Sequence, residues 1–122
     1  MKVSQDGGET WTVDLQLTRL VTNDGALSFF DRFGGSGGTQ VHTIAFNPRD
    51  SREIAVGTDA GGVIATSTGG RSWTRIVNST RATNISSFYF DTRARNVYVS
   101  TYGRGLWRFD ADEMDLGEIS QP

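Results

Sequence analysis

Cysteine is missing from all 122 residues, which removes disulfide scaffolds, thiolate catalysis and most structural zinc sites together. Histidine is nearly missing: His42 stands alone beside Thr43, with no second ligand or nucleophile near it in sequence, so a structural role is expected and no metal or catalytic residue is assigned. Positive charge is not in excess either. Lys and Arg number 12 against 14 Asp and Glu, for a net charge of −2, and the isoelectric point is near 5.2. No basic stripe is available to neutralise phosphates, which excludes nucleic acid as the expected partner. No apolar run approaches the roughly 20 residues of a spanning helix, so no membrane span is expected. The opening Met1-Lys2-Val3-Ser4 lacks the apolar core of a secretory signal, although it begins inside a repeat, so that any export signal would lie upstream.

What is present points one way. Glycine occurs 15 times, tryptophan 3 times and phenylalanine 7 times, a composition of many short strands and turns. The stretch Ser4-Gln5-Asp6-Gly7-Gly8-Glu9-Thr10-Trp11 returns as Thr66-Ser67-Thr68-Gly69-Gly70-Arg71-Ser72-Trp73. Each copy reads as strand, tight turn, strand, with hydroxyl or carboxylate side chains folding back onto backbone N–H groups.

Taken in order, residues 1–21 are expected to form the closing hairpin of one unit, with Leu17 to Val21 continuing its second strand. Residues 22–40 form a long loop, anchored by Phe29, Phe30 and Phe33 and flexible at Gly34-Gly35-Ser36-Gly37-Gly38. The alternative for that Gly/Ser run is an engineered joint between two pieces. Residues 41–77 read as four strands: His42 to Phe46, Glu53 to Thr58, Val63 to Ser67 and Ser72 to Val77. After a polar connection, residues 85–109 read as three more: Ile85 to Phe90, Val97 to Thr101 and Leu106 to Phe109. Residues 110–122 are acidic, lack alternation and lack EF-hand spacing, so a solvated tail is expected. Register ties the units together: Val56, Thr58, Gly62 and Val63 match Val99, Thr101, Gly105 and Leu106, each pair 43 apart. Four-stranded units at such a period predict an all-β chain of propeller blades, about two and a half here. Closed propellers use about four to eight, so further blades of the same protein, or other copies of the chain, are expected to complete the ring.

These residues resemble the Asp-box, or bacterial neuraminidase repeat, of consensus Ser/Thr-x-Asp-x-Gly-x-Thr-Trp. Ser4, Asp6, Gly8, Thr10 and Trp11 match it, and the second copy keeps Thr66, Gly70, Ser72 and Trp73 but carries Thr68 where the aspartate would be. The closing segment from Val97 to Trp107 also looks like the last blade of sortilin-like and xyloglucanase-like propellers. The resemblance implies a propeller fold and an extracellular or periplasmic setting, but spreads over sialidases, xyloglucan hydrolases, sorting receptors and photosystem assembly factors. Two functions are carried forward: a non-catalytic scaffold that binds carbohydrate or protein, and the C-terminal part of a secreted glycoside hydrolase whose carboxylates lie on other blades. No cofactor is expected.

The box residues themselves read as scaffold. Asp6 is expected to accept N–H groups of its own turn, Gly8 to supply a positive φ, and Trp11 to pack as an apolar plate between blades. Turns alternate ends in an antiparallel blade, so the face opposite the boxes gathers the loop 22–40, the connection Asn78 to Asn84, and the turns holding Asp59 and Tyr102-Gly103-Arg104. Candidate ligand-binding residues there are Asp59 as acceptor, Tyr102 as stacking ring and Arg104 as a forked cation for a carboxylate. The plainer reading of Arg104 is a pairing with a neighbouring blade's backbone or acid.

Overall fold

The computed structural model describes residues 1–25 and 39–115. Three antiparallel sheets follow one another along the chain. Strands β1 (Lys2–Val3) and β2 (Thr12–Val13) pair as a short hairpin. Strands β3 (Val41–Asn47), β4 (Asp50–Thr58), β5 (Val63–Thr66) and β6 (Thr74–Arg75) form a four-stranded meander. Strands β7 (Ile85–Asp91), β8 (Asn96–Thr101) and β9 (Leu106–Asp110) form a three-stranded one. The fold is thus mostly β, and among the described residues no closed barrel or propeller is formed.

Two expectations are corrected. Residues Leu15–Val21 are a helix, α1, and not a continuation of β2. Asp14 caps it, accepting the Leu17 N–H at 3.0 Å, and Leu17 and Val21, four residues apart on one face, bury against Val56 and Ile64. Burying such side chains is worth about 1.5–3 kcal/mol each, which outweighs the slight β preference of the sequence. The acidic segment is the second correction. Ala111–Asp115 is a 3₁₀ turn whose Ala111 and Met114 sit in the core, so apolar burial, not solvation, decides its place. Residues 116–122, Phe29, Phe30, Phe33 and the run 34–38 lie outside the described residues.

The four-stranded sheet is sandwiched. One face packs on α1; the other, through Ala55, Val63 and Ala65, meets Ile85, Val97, Val99 and Phe109 of the three-stranded sheet. Gly57 makes that approach close, since a Cβ there would collide with Ile85 and lie 2.8 Å from Thr43 Cγ2. At the far rim, Arg95 clamps the sheets by donating to both carboxylate oxygens of buried Glu53, at 3.1 and 2.9 Å, and to Asp112 at 2.9 Å. These bonds, Glu53 first, hold the Arg95 guanidinium further above its ordinary pKa. An apolar groove of about 880 Å³ lies open beside β3, lined by Trp11, Val13, Leu15, Ile44 and Phe46 among others.

The two Gly-Gly turns are built alike. Ser4 Oγ accepts the Gly8 N–H at 2.8 Å, and Thr66 Oγ1 accepts that of Gly70 at 3.2 Å. Asp6 Oδ1 accepts the Thr10 N–H at 2.8 Å, where Thr68 Oγ1 accepts that of Ser72 at 3.0 Å. Gly8 and Gly70 have φ of +96° and +94°, so a side chain at either would be strained. Bonds from the Thr10 hydroxyl, the Thr10 N–H and the Ser4 hydroxyl hold the Asp6 carboxyl down at a pKa of about 2. Trp11 departs from expectation. It is 59% exposed rather than packed as a plate, its indole N–H donating to Gly8 O. Trp73 does pack, against α1, and its indole N–H reaches Asp14 Oδ2 at 3.0 Å.

Candidate ligand-binding face

The turns after β4 and β8 and the connection between β6 and β7 share the end of the sheets away from the Gly-Gly turns, as strand alternation requires. The turn after β4 and the turn after β8 are one design used twice. Thr58 Oγ1 donates to Gly62 O and Thr101 Oγ1 to Gly105 O, both at 2.8 Å. The same hydroxyls accept the N–H of Gly61 at 2.8 Å and of Arg104 at 2.9 Å. Gly62 and Gly105 close the turns with φ of +80° and +82°, values that favour glycine.

Backbone bonds then join the elements in relay. Asp59 N–H donates to Gln40 O at 3.0 Å, Asn84 N–H to Asp59 O at 2.8 Å, and Tyr102 N–H to Asn84 O at 2.9 Å. The relay carries side chains from different elements together. Asp59 Oδ1, which is buried, pairs with His42 Nε2, and no other donor among the described residues reaches that oxygen. The His42 ring meets Tyr102 edge-on, with centroids 6.3 Å apart and planes at 69°. His42, read in the sequence as structural, thus lies between the buried Asp59 carboxylate and the Tyr102 ring.

Tyr102 itself is 69% exposed. Among the described residues the Arg104 guanidinium makes no hydrogen bond or ion pair, while its backbone carbonyl accepts the Trp107 indole N–H at 2.8 Å. Next to it lies a shallow concavity of about 630 Å³, lined by Thr80, Arg81, Thr83, Gly103, Arg104 and Trp107. Arg81 was not singled out by sequence. Its place follows from the 3₁₀ turn Ser79–Arg81, pinned where the Ser79 hydroxyl accepts the Val63 N–H at 2.9 Å, and its guanidinium stacks over Trp107 with 5.9 Å from Cζ to the ring centroid.

The structure therefore brings Asp59, Tyr102 and Arg104 to one end and leaves Ser4, Asp6, Gly8, Thr10, Trp11, Thr66, Gly70, Ser72 and Trp73 in the turns at the other. The part of the face expected from Phe29, Phe30 and Phe33 lies outside the described residues. Among the described residues no group of three or more His, Cys, Asp or Glu is placed to hold a metal ion, and no helix is long and apolar enough to cross a membrane. No protein-family model and no curated protein sequence matches the chain.

Proposed function

We propose that the chain is a segment of an Asp-box β-propeller, about two and a half blades, that serves as a non-catalytic scaffold for a carbohydrate or protein ligand. Its ligand face is the end opposite the boxes. One observation carries the reading: Tyr102 is exposed and Arg104 unpaired among the described residues, on a turn whose own hydrogen bonds fix it. An exposed ring beside a free guanidinium suits a sugar face or a polar peptide. Carbohydrate is the better fit, because the surface is shallow and polar. The paired Gly-Gly turns and the repeat of 43 support the propeller reading, and the apolar groove beside β3 supports a further sheet, from the same protein or another copy, as its neighbour.

The test is an amide-shift titration of the ¹⁵N-labelled chain with a panel of neutral and acidic oligosaccharides, with sugar release assayed in parallel. Shifts at Asp59, Tyr102 and Arg104, none at Gly8 or Gly70, and no new reducing ends are expected. Shifts confined to the Gly-Gly turns, or turnover by the chain alone, would sink the reading.

A further inference from the structure

We infer that the concavity between the Asn78–Asn84 connection and the Tyr102–Gly105 turn is an oxyanion subsite, built to hold the carboxylate or sulfate of an acidic saccharide. The inference rests on the reading of this face as carbohydrate-binding and adds the charge of the ligand. Two guanidiniums, Arg81 and Arg104, line one concavity, and no carboxylate lines it. Neither guanidinium has a hydrogen bond or ion pair among the described residues. Arg75 and Arg95, by contrast, are spent on acceptors inside the fold; what sets Arg81 and Arg104 apart is that they share one concavity.

The Arg81 side chain is held by its stack on Trp107, and the Arg104 backbone by the Thr101 hydroxyl and the Trp107 indole. The Arg81 cation and the Arg104 backbone are therefore placed before any ligand arrives, which lowers the ordering cost of binding. Thr80 and Thr83 add hydroxyl donors at the rim. A planar fork matches two oxygens of a carboxylate or sulfate, and Tyr102, two residues before Arg104 on the same turn, offers its exposed ring to the sugar that carries the charge.

Titration calorimetry on the whole chain decides this with three probes of equal length: a neutral cello-oligosaccharide, an oligogalacturonate with carboxylates only, and a heparin-derived oligosaccharide with sulfates. At least one acidic probe is expected to bind about tenfold or more tighter than the neutral one, and to weaken several-fold between 50 and 200 mM salt. The tighter of the two acidic probes names the oxyanion. Arg81→Gln and Arg104→Gln should each weaken it about tenfold, and Arg71→Gln, the same charge change on the opposite turn, should not. Equal binding of all three probes, or acidic binding indifferent to Arg81 and Arg104, overturns the oxyanion subsite while leaving a carbohydrate face. No binding of any probe overturns both.

Discussion

The turn after β4 and the turn after β8 share hydrogen bonds and backbone shape, yet one is shut in and the other is open. Gly61 and Gly62 are buried: a Cβ on Gly61 would lie 2.6 Å from Val21 O at the end of α1, and one on Gly62 would lie 2.7 Å from Ser79 Oγ. At the matching positions, 43 residues on, stand Arg104 and Gly105, both exposed, with no atom within 4 Å of a Cβ on Gly105. The turn alone does not decide its burial; the elements laid over it do. Where α1 and the Ser79–Arg81 turn press down, only glycine fits. Where nothing described presses down, the same backbone carries a long cation and an aromatic ring, and these are free to meet something else.

Three experiments push on this contrast. The largest effect is expected from glycine replacement. Gly62→Ala combines a left-handed backbone penalty of about 1–2 kcal/mol with overpacking of about 1–3 kcal/mol, whereas Gly105→Ala should cost the backbone penalty alone. Chemical denaturation of the two variants measures the difference, and equal losses would mean that the cover over the first turn is loose. Next comes the opposite rim, where Arg52 and Arg95 are also 43 apart. Arg95→Gln leaves the buried Glu53 carboxylate with the Asn47 amide in place of a cation and should cost about 1–3 kcal/mol, the half-exposure of Arg95 moderating the loss. Arg52, paired with Asp50 in solvent, should leave stability nearly unchanged on the same substitution. Similar losses from both would show that the clamp between the sheets contributes little.

The smallest effect lies in the Gly-Gly turns. Asp6 has its carboxyl held down to about 2 in the folded state, so its bonds stabilise the turn fully above the ordinary carboxylate value near 3.9. That contribution is lost as pH falls through about 2, when the carboxylate is protonated. Amide shifts of Gly8 and Thr10 should follow this titration, and those of Gly70 and Ser72 should not, because Thr68 has no proton to gain. An Asp6 midpoint near 4 would mean that the exposed turn does not hold its bonds in water.

Much of the fold was legible because it is local and repeated. Strand alternation, the paired Gly-Gly stretches and the spacing of Thr58 and Thr101 are all carried by neighbours in sequence, and the strands fall within a few residues of expectation. Helix α1 was missed because Leu15 and Leu17 alternate like a strand. Its signal was present in Asp14 as a cap and in Leu17, Leu20 and Val21 at spacings of three and four. Of the candidate face, Asp59, Tyr102 and Arg104 were reachable from turn order alone. His42 and Arg81 were not, since their roles depend on contacts with Asp59 and Trp107, 17 and 26 residues away. Such pairings exist only once the sheets have stacked.

The relay from Gln40 through Asp59 and Asn84 to Tyr102 has a mechanical side. Inside each sheet, a load across neighbouring strands is shared by a ladder of bonds in parallel. At this end, the Asp59–Gln40 and Tyr102–Asn84 bonds each close the rim of one sheet, and the single Asn84–Asp59 bond joins the two rims, so a tug on the Tyr102 turn reaches the backbone of the other rim through one bond. That one bond is the weak link of this rim, and whatever grips the Tyr102 turn holds its handle.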